Sequence, residues 1–70
     1  MSIGEKIKQA RVGKNMSQEE LAAIVGVSRQ AISKWESDKT VPSGSNREAL
    51  NQYLEINVLD EDEEGYEGYQ

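Results

Sequence analysis

Seventy residues with no cysteine and a single proline leave room for one small domain, held together without disulfides or thiolate-bound metal. The absence of histidine removes the commonest general base and the commonest zinc ligand, which argues against an enzyme and against a metal or other cofactor. Net charge is −5, yet residues 1–59 carry eight Lys and Arg against seven acids while residues 60–70 carry six acids and no base, so the chain divides at Asp60.

The predicted elements in chain order are helices, because Ser-x-x-Glu recurs where an apolar stripe of helical period begins. In this pattern the Ser oxygen and the Glu carboxylate satisfy amides that the first turn leaves without partners. Ser2 with Glu5 opens a stripe of Ile3, Ile7 and Ala10. Ser17 with Glu20 opens Leu21, Ile24 and Val25, with Met16 placed to pack back on Leu21. Ser28 caps a third helix over 28–36, in which Ile32 and Trp35 share a side and Val27 can pack on Ile32. Ser45 with Glu48 opens Ala49, Leu50, Tyr53 and Leu54. No segment alternates apolar and polar residues long enough for a strand, so the fold class is all-α, with four to five short helices; Asn57 and Asp60 are candidate caps for the fifth.

Between the second and third helices Gly26 can take the left-handed conformation that ends one helix, Ala22 is small enough for the next to cross closely, and Val27 tucks under the turn. Leu21, Val25, Ile32 and Trp35 then face one core. Trp35 could stack on a base, but its spacing from Ile32 assigns it to that core.

After Asp60 the chain offers only Tyr66 and Tyr69 as large apolar groups, and residues 60–70 are expected to form a disordered acidic tail outside the domain of residues 1–59. Asp60, Asp62, Glu64 and Gly65 echo the start of a calcium loop, but the required twelfth-position Glu would fall at 71, so the run reads as solvated charge. No apolar run approaches the ~18 residues of a membrane span. The N-terminus also lacks the order of a signal peptide, so a cytoplasmic location is expected.

The set Met16-Ser17-Gln18-Glu19-Glu20-Leu21-Ala22 with Gly26-Val27-Ser28-Arg29-Gln30-Ala31-Ile32-Ser33-Lys34-Trp35-Glu36 resembles the helix-turn-helix of the lambda-repressor-like, Cro/C1-type (XRE) family, over residues 2 to about 56. The resemblance implies four or five packed helices with the third in the major groove of double-stranded DNA. Base contacts would come from Arg29, Gln30, Ser33 and Lys34, of which Arg suits guanine O6 and N7 and Gln suits adenine N6 and N7. It implies phosphate contacts from Gln18, Ser28, Lys39 and Thr40. It also implies a partly buried structural pair between Arg11 and Glu36.

The function so implied is sequence-specific transcription regulation, of phage or bacterial repressor type, by a weak homodimer on a palindromic operator. The family usually carries Gly where Asp38 stands, so the loop holding Lys39 is expected to differ in shape. Ile56, Val58 and Leu59 are what remains near the family's dimer surface. The alternative function is a protein-interaction module, an antitoxin or anti-repressor component whose acidic tail docks on a basic partner. If the body instead binds DNA, the same tail is expected to weaken binding by competing with phosphate. A Ser-carboxylate hydrolase has no base–nucleophile constellation behind it.

Overall fold

The computed structural model describes residues 2–58, and the acidic tail, the candidate calcium echo and Leu59 lie outside the described residues. Four helices are present among them: α1 (Ile3–Gly13), α2 (Gln18–Val25), α3 (Arg29–Glu36) and α4 (Gly44–Leu54). There is no strand among the described residues, as expected. Both predicted capping boxes at the start of α1 and α2 close. Ser2 and Ser17 accept from the amides of Glu5 and Glu20 at 3.1 and 3.0 Å, and the two Glu side chains accept in return from the cap amides. Ser28 caps α3 by accepting from the Ala31 amide at 3.1 Å.

The fourth start differs from the reading of the sequence. Pro42 is fully buried, and α4 begins two residues after it, at Gly44. Ser43 is extended at the cap position without a side-chain cap bond, Gly44 follows at φ 59°, and Ser45 already lies inside the helix. A box needs its Ser outside the first turn, so Ser45 and Glu48 cannot form one. Ser17→Ala should therefore cost about 1 kcal/mol, whereas Ser45→Ala should stay within about 0.5 kcal/mol of the parent. Thermal melts of the two variants check this; equal losses would contradict the observed start of α4.

The core is Ile7 from α1, Leu21 and Ala22 from α2, Ile32 and Trp35 from α3, Leu50 and Leu54 from α4, and Val58 beyond it, with Ile3, Ala10, Met16, Val25, Val27, Ala31 and Ile56 partly buried against it. α3 packs on both α1 and α2, and α4 packs less extensively on the same pair. Three members of the predicted stripes lie outside the core, Ala49 among them. Ile24 is 39% exposed and Tyr53 51% exposed. On α2 the face turned inward is Leu21, Ala22 and Val25, and Ile24 lies at its exposed flank.

A turn at Glu55 ends α4, and the candidate fifth helix capped by Asn57 and Asp60 falls largely outside the described residues. Val58 is fully buried, and its amide donates to Asn51 Oδ1 at 2.8 Å. It is therefore a core residue and offers no side chain to the dimer surface near which the resemblance places it.

Asp38 takes the left-handed conformation at φ 64° despite its side chain. The loop after α3 thus turns as it would with Gly, contrary to the expected change of shape. The compensation is a hydrogen bond across the fold: Asp38 Oδ1 accepts from the Gly4 amide at 3.0 Å. That amide is one of the unpartnered donors of the first turn of α1, so a carboxylate there serves both the hydrogen bond and the helix dipole.

Candidate nucleic-acid interface

The turn joining α2 to α3 is closed by Gly26 at φ 89° and ψ 35°, whose amide donates to the Ala22 carbonyl at 2.7 Å, followed by that of Val27 to the same oxygen at 3.0 Å. A Cβ at Gly26 would meet nothing within 4 Å. The requirement is conformational and not one of space, because a side chain at that φ is strained wherever it points.

With Ile32 and Trp35 anchored in the core, the opposite side of α3 presents Arg29, Gln30, Ser33 and Lys34, which occupy positions i, i+1, i+4 and i+5 and share one face. Arg29, Gln30 and Lys34 are exposed, and Ser33 is half-buried. The structure thus brings all four sequence-predicted base-contact residues to one surface. Ser28, Lys39 and Thr40 are also exposed, at the two ends of the same helix, while Gln18 at the start of α2 is half-buried.

Backbone bonds restrict what two of these can offer an anion. The amides of Lys39 and Thr40 donate to the Lys34 carbonyl at 2.9 and 3.4 Å, closing the C-terminal end of α3. Only their side chains remain for an external ligand. Ser28 Oγ accepts from Ala31, which leaves its O–H as the free donor.

Behind this face lies a connected set of polar groups. Arg11 Nε donates to Glu36 Oε2 at 2.6 Å and Arg11 Nη2 to Glu36 Oε1 at 3.2 Å, a two-pronged ion pair whose side chains are 12% and 5% exposed. Arg11 Nη1 donates to the Met16 carbonyl at 2.7 Å, tying the pair to the loop between α1 and α2. The pair anticipated from the resemblance is therefore present, and it is a structural clamp. Glu36 Oε1 accepts a further hydrogen bond from Gln18 Nε2 at 3.0 Å, and Gln18 Oε1 accepts one from Arg29 Nη1 at 3.3 Å. No local signal could have found these last two contacts, since the partners stand 18 and 11 residues apart. From the sequence Gln18 is assigned to a phosphate contact alone, and no partner for Asp38 is signalled.

No group of acidic residues capable of holding a metal is present among the described residues. No helix there is long and apolar enough to cross a membrane.

The profile of the family described as helix-turn-helix matches residues 7–60. Among curated proteins, the HTH-type transcriptional activator BcrR of Enterococcus faecalis is 42% identical over 58 residues, covering 83% of this chain and 28% of that protein. The Repressor protein C2 of Salmonella phage P22 is 42% identical over 53 residues, covering 76% and 24%. The chain thus spans about a quarter of the length of these relatives. Among solved structures, the nuclear magnetic resonance structure of the DNA-binding domain of the P22 C2 repressor is similar with a TM-score of 0.78 at 37% identity, covering 84% of this chain and 82% of that one. The crystal structure of the P22 c2 repressor with synthetic operator 9T is similar with a TM-score of 0.78 at 38% identity, covering 83% and 88%.

Proposed function

The chain belongs to the helix-turn-helix family, of the Cro/C1 (XRE) type, and on that premise we propose that it is a sequence-specific regulator of transcription that binds double-stranded DNA through α3. The observation that carries this reading is the outward face of that helix. Arg29, Gln30 and Lys34 are exposed polar donors on a helix whose other side is locked into the core. Such a helix can enter a major groove without rearranging, and its donors match the acceptor pattern of base edges there.

Arg29 and Gln30 read bases, with Ser33 and Lys34 extending the contact. Gln18, Ser28, Lys39 and Thr40 hold phosphates on either side and set the register of the helix in the groove. One such helix covers too few base pairs for specificity in a genome, so two copies occupy a palindromic operator with half-sites about 34–36 Å apart. Occupancy of that operator represses transcription. The similarity of the fold to a repressor solved with its operator supports this reading.

The test is selection of bound duplexes from a random pool, followed by titration of the recovered site with variants. The expected product is a palindrome bound by two copies. Ala at Arg29 or at Gln30 should each cost roughly 1–3 kcal/mol on the selected site and relax preference at one base pair per half-site. Lys39→Ala should weaken all sequences alike and flatten the salt dependence. Failure to enrich any sequence at low salt would refute the reading and favour docking on a protein.

A further inference from the structure

We infer that Glu36, although its carboxylate belongs to the ion pair behind the face, is a positioning residue for base readout, acting through Gln18 on Arg29. This rests on the reading of Arg29 as a base contact.

The geometry is a relay of two hydrogen bonds, from Arg29 to Gln18 and from Gln18 to Glu36, with one permitted polarity. Glu36 can only accept, and both its oxygens are held in place by Arg11. An amide meeting that carboxylate must turn its NH2 group toward it. Gln18 does so, donating from Nε2 at 3.0 Å. Its carbonyl oxygen is then committed to the opposite side, toward residue 29, where it accepts from Arg29 Nη1 at 3.3 Å.

A side chain at 29 that meets this oxygen must therefore be a donor. Arginine fits because it has five N–H donors in a rigid fork, so giving one to Gln18 leaves others for a base edge. An exposed arginine would otherwise sample many rotamers, and ordering it only on binding costs affinity for the right base and the wrong base alike. Held by one nitrogen, the guanidinium keeps a narrower range of directions, which favours the base pair whose acceptors lie in that direction. The core ion pair thus fixes the orientation of an amide that lies between it and the readout side chain.

The experiment measures, on the selected operator, the ratio of affinities for the preferred base pair and its three replacements at the position relaxed by Arg29→Ala. The proteins are 70-residue chains carrying Gln18→Met or Glu36→Gln, each titrated at a temperature where circular dichroism shows it folded. Both substitutions should reduce discrimination at that one position by about three- to tenfold, the worth of one hydrogen bond. Preference at the position relaxed by Gln30→Ala should remain unchanged. In an Arg29→Ala background neither should reduce discrimination at the Arg29 position further.

Loss of a phosphate contact by Gln18, or a general loosening of the fold, lowers affinity for all sequences alike and leaves the ratio untouched. An unchanged ratio in Gln18→Met overturns the relay even where Glu36→Gln fails to fold. A fall in the ratio for Gln18→Met but not for a folded Glu36→Gln overturns the part assigned to Glu36. If Arg29→Ala itself relaxes no position, the assignment of Arg29 as a base reader fails, and the relay fails with it.

Discussion

Arg11→Leu is expected to be as damaging as the loss of a core side chain, costing about 3–5 kcal/mol. The reason is the state of Glu36 once its partner is gone. That side chain is only 5% exposed, and three of the four hydrogen bonds in its immediate network are donated by Arg11: two to Glu36 and one to the Met16 carbonyl. A leucine supplies none of them, and Gln18 alone cannot balance a buried negative charge. A domain this small has little stability in reserve, so the variant should be largely unfolded at 25 °C.

The pair's cost of desolvation gives a second, opposite expectation. Replacing both members by apolar residues, Arg11→Leu with Glu36→Leu, removes the buried charge together with its partner, so the double variant should be more stable than Arg11→Leu alone. Denaturant melts of the two proteins decide this. A double variant no more stable than the single would mean that the damage comes from the Met16 carbonyl and the loop, not from the stranded carboxylate.

Gly4→Ala is the second. In the middle of an exposed helix this change normally stabilises by up to about 1 kcal/mol, because alanine is the better helix former. At Gly4 the sign reverses. A Cβ there would sit 2.5 Å from the Trp35 carbonyl oxygen, 2.6 Å from that of Glu36 and 2.8 Å from Asp38 Oδ1. The first two are backbone atoms at the end of α3 and cannot swing aside, so either α1 moves away or the end of α3 does.

Either movement stretches the bond between the Gly4 amide and Asp38 and opens the core beside Trp35. Overpacking of this kind costs about 1–3 kcal/mol or somewhat more. Each kcal/mol corresponds to about 4–8 °C in a domain of this size. A fall in Tm of 10 °C or more is therefore expected, on the order of two such increments. Gly13→Ala is the control: nothing lies within 4 Å of a Cβ there, and the substitution should leave Tm unchanged or slightly raised. Equal melting of Gly4→Ala and the parent protein would show that α1 can shift on α3 at no cost.

Much of this architecture was legible before any fold was known, because its signals are local. Ser2 with Glu5 and Ser17 with Glu20 mark helix starts through groups three residues apart, and Gly26 marks the end of α2 by its own backbone freedom. The outward face of α3 follows from the positions of Ile32 and Trp35 on the same helix. The pair of Arg11 and Glu36 was legible only through family resemblance, since nothing in residues 25 apart announces a contact.

Where the local pattern misled, the packed arrangement differed from the stripe. α4 starts at Gly44, ahead of the box at Ser45 and Glu48, and Ile24 lies outside the packed face of Leu21, Ala22 and Val25. The sequence by itself determined that this chain makes short amphipathic helices around a tight glycine turn, because period, caps and turn residues act within a few positions of one another. Only the tertiary structure decided that Asp38 completes the first turn of α1, that Val58 belongs to the core, and that Gln18 links Glu36 to Arg29. Those are matters of distance between segments, and distance is set when the helices pack, not when they form.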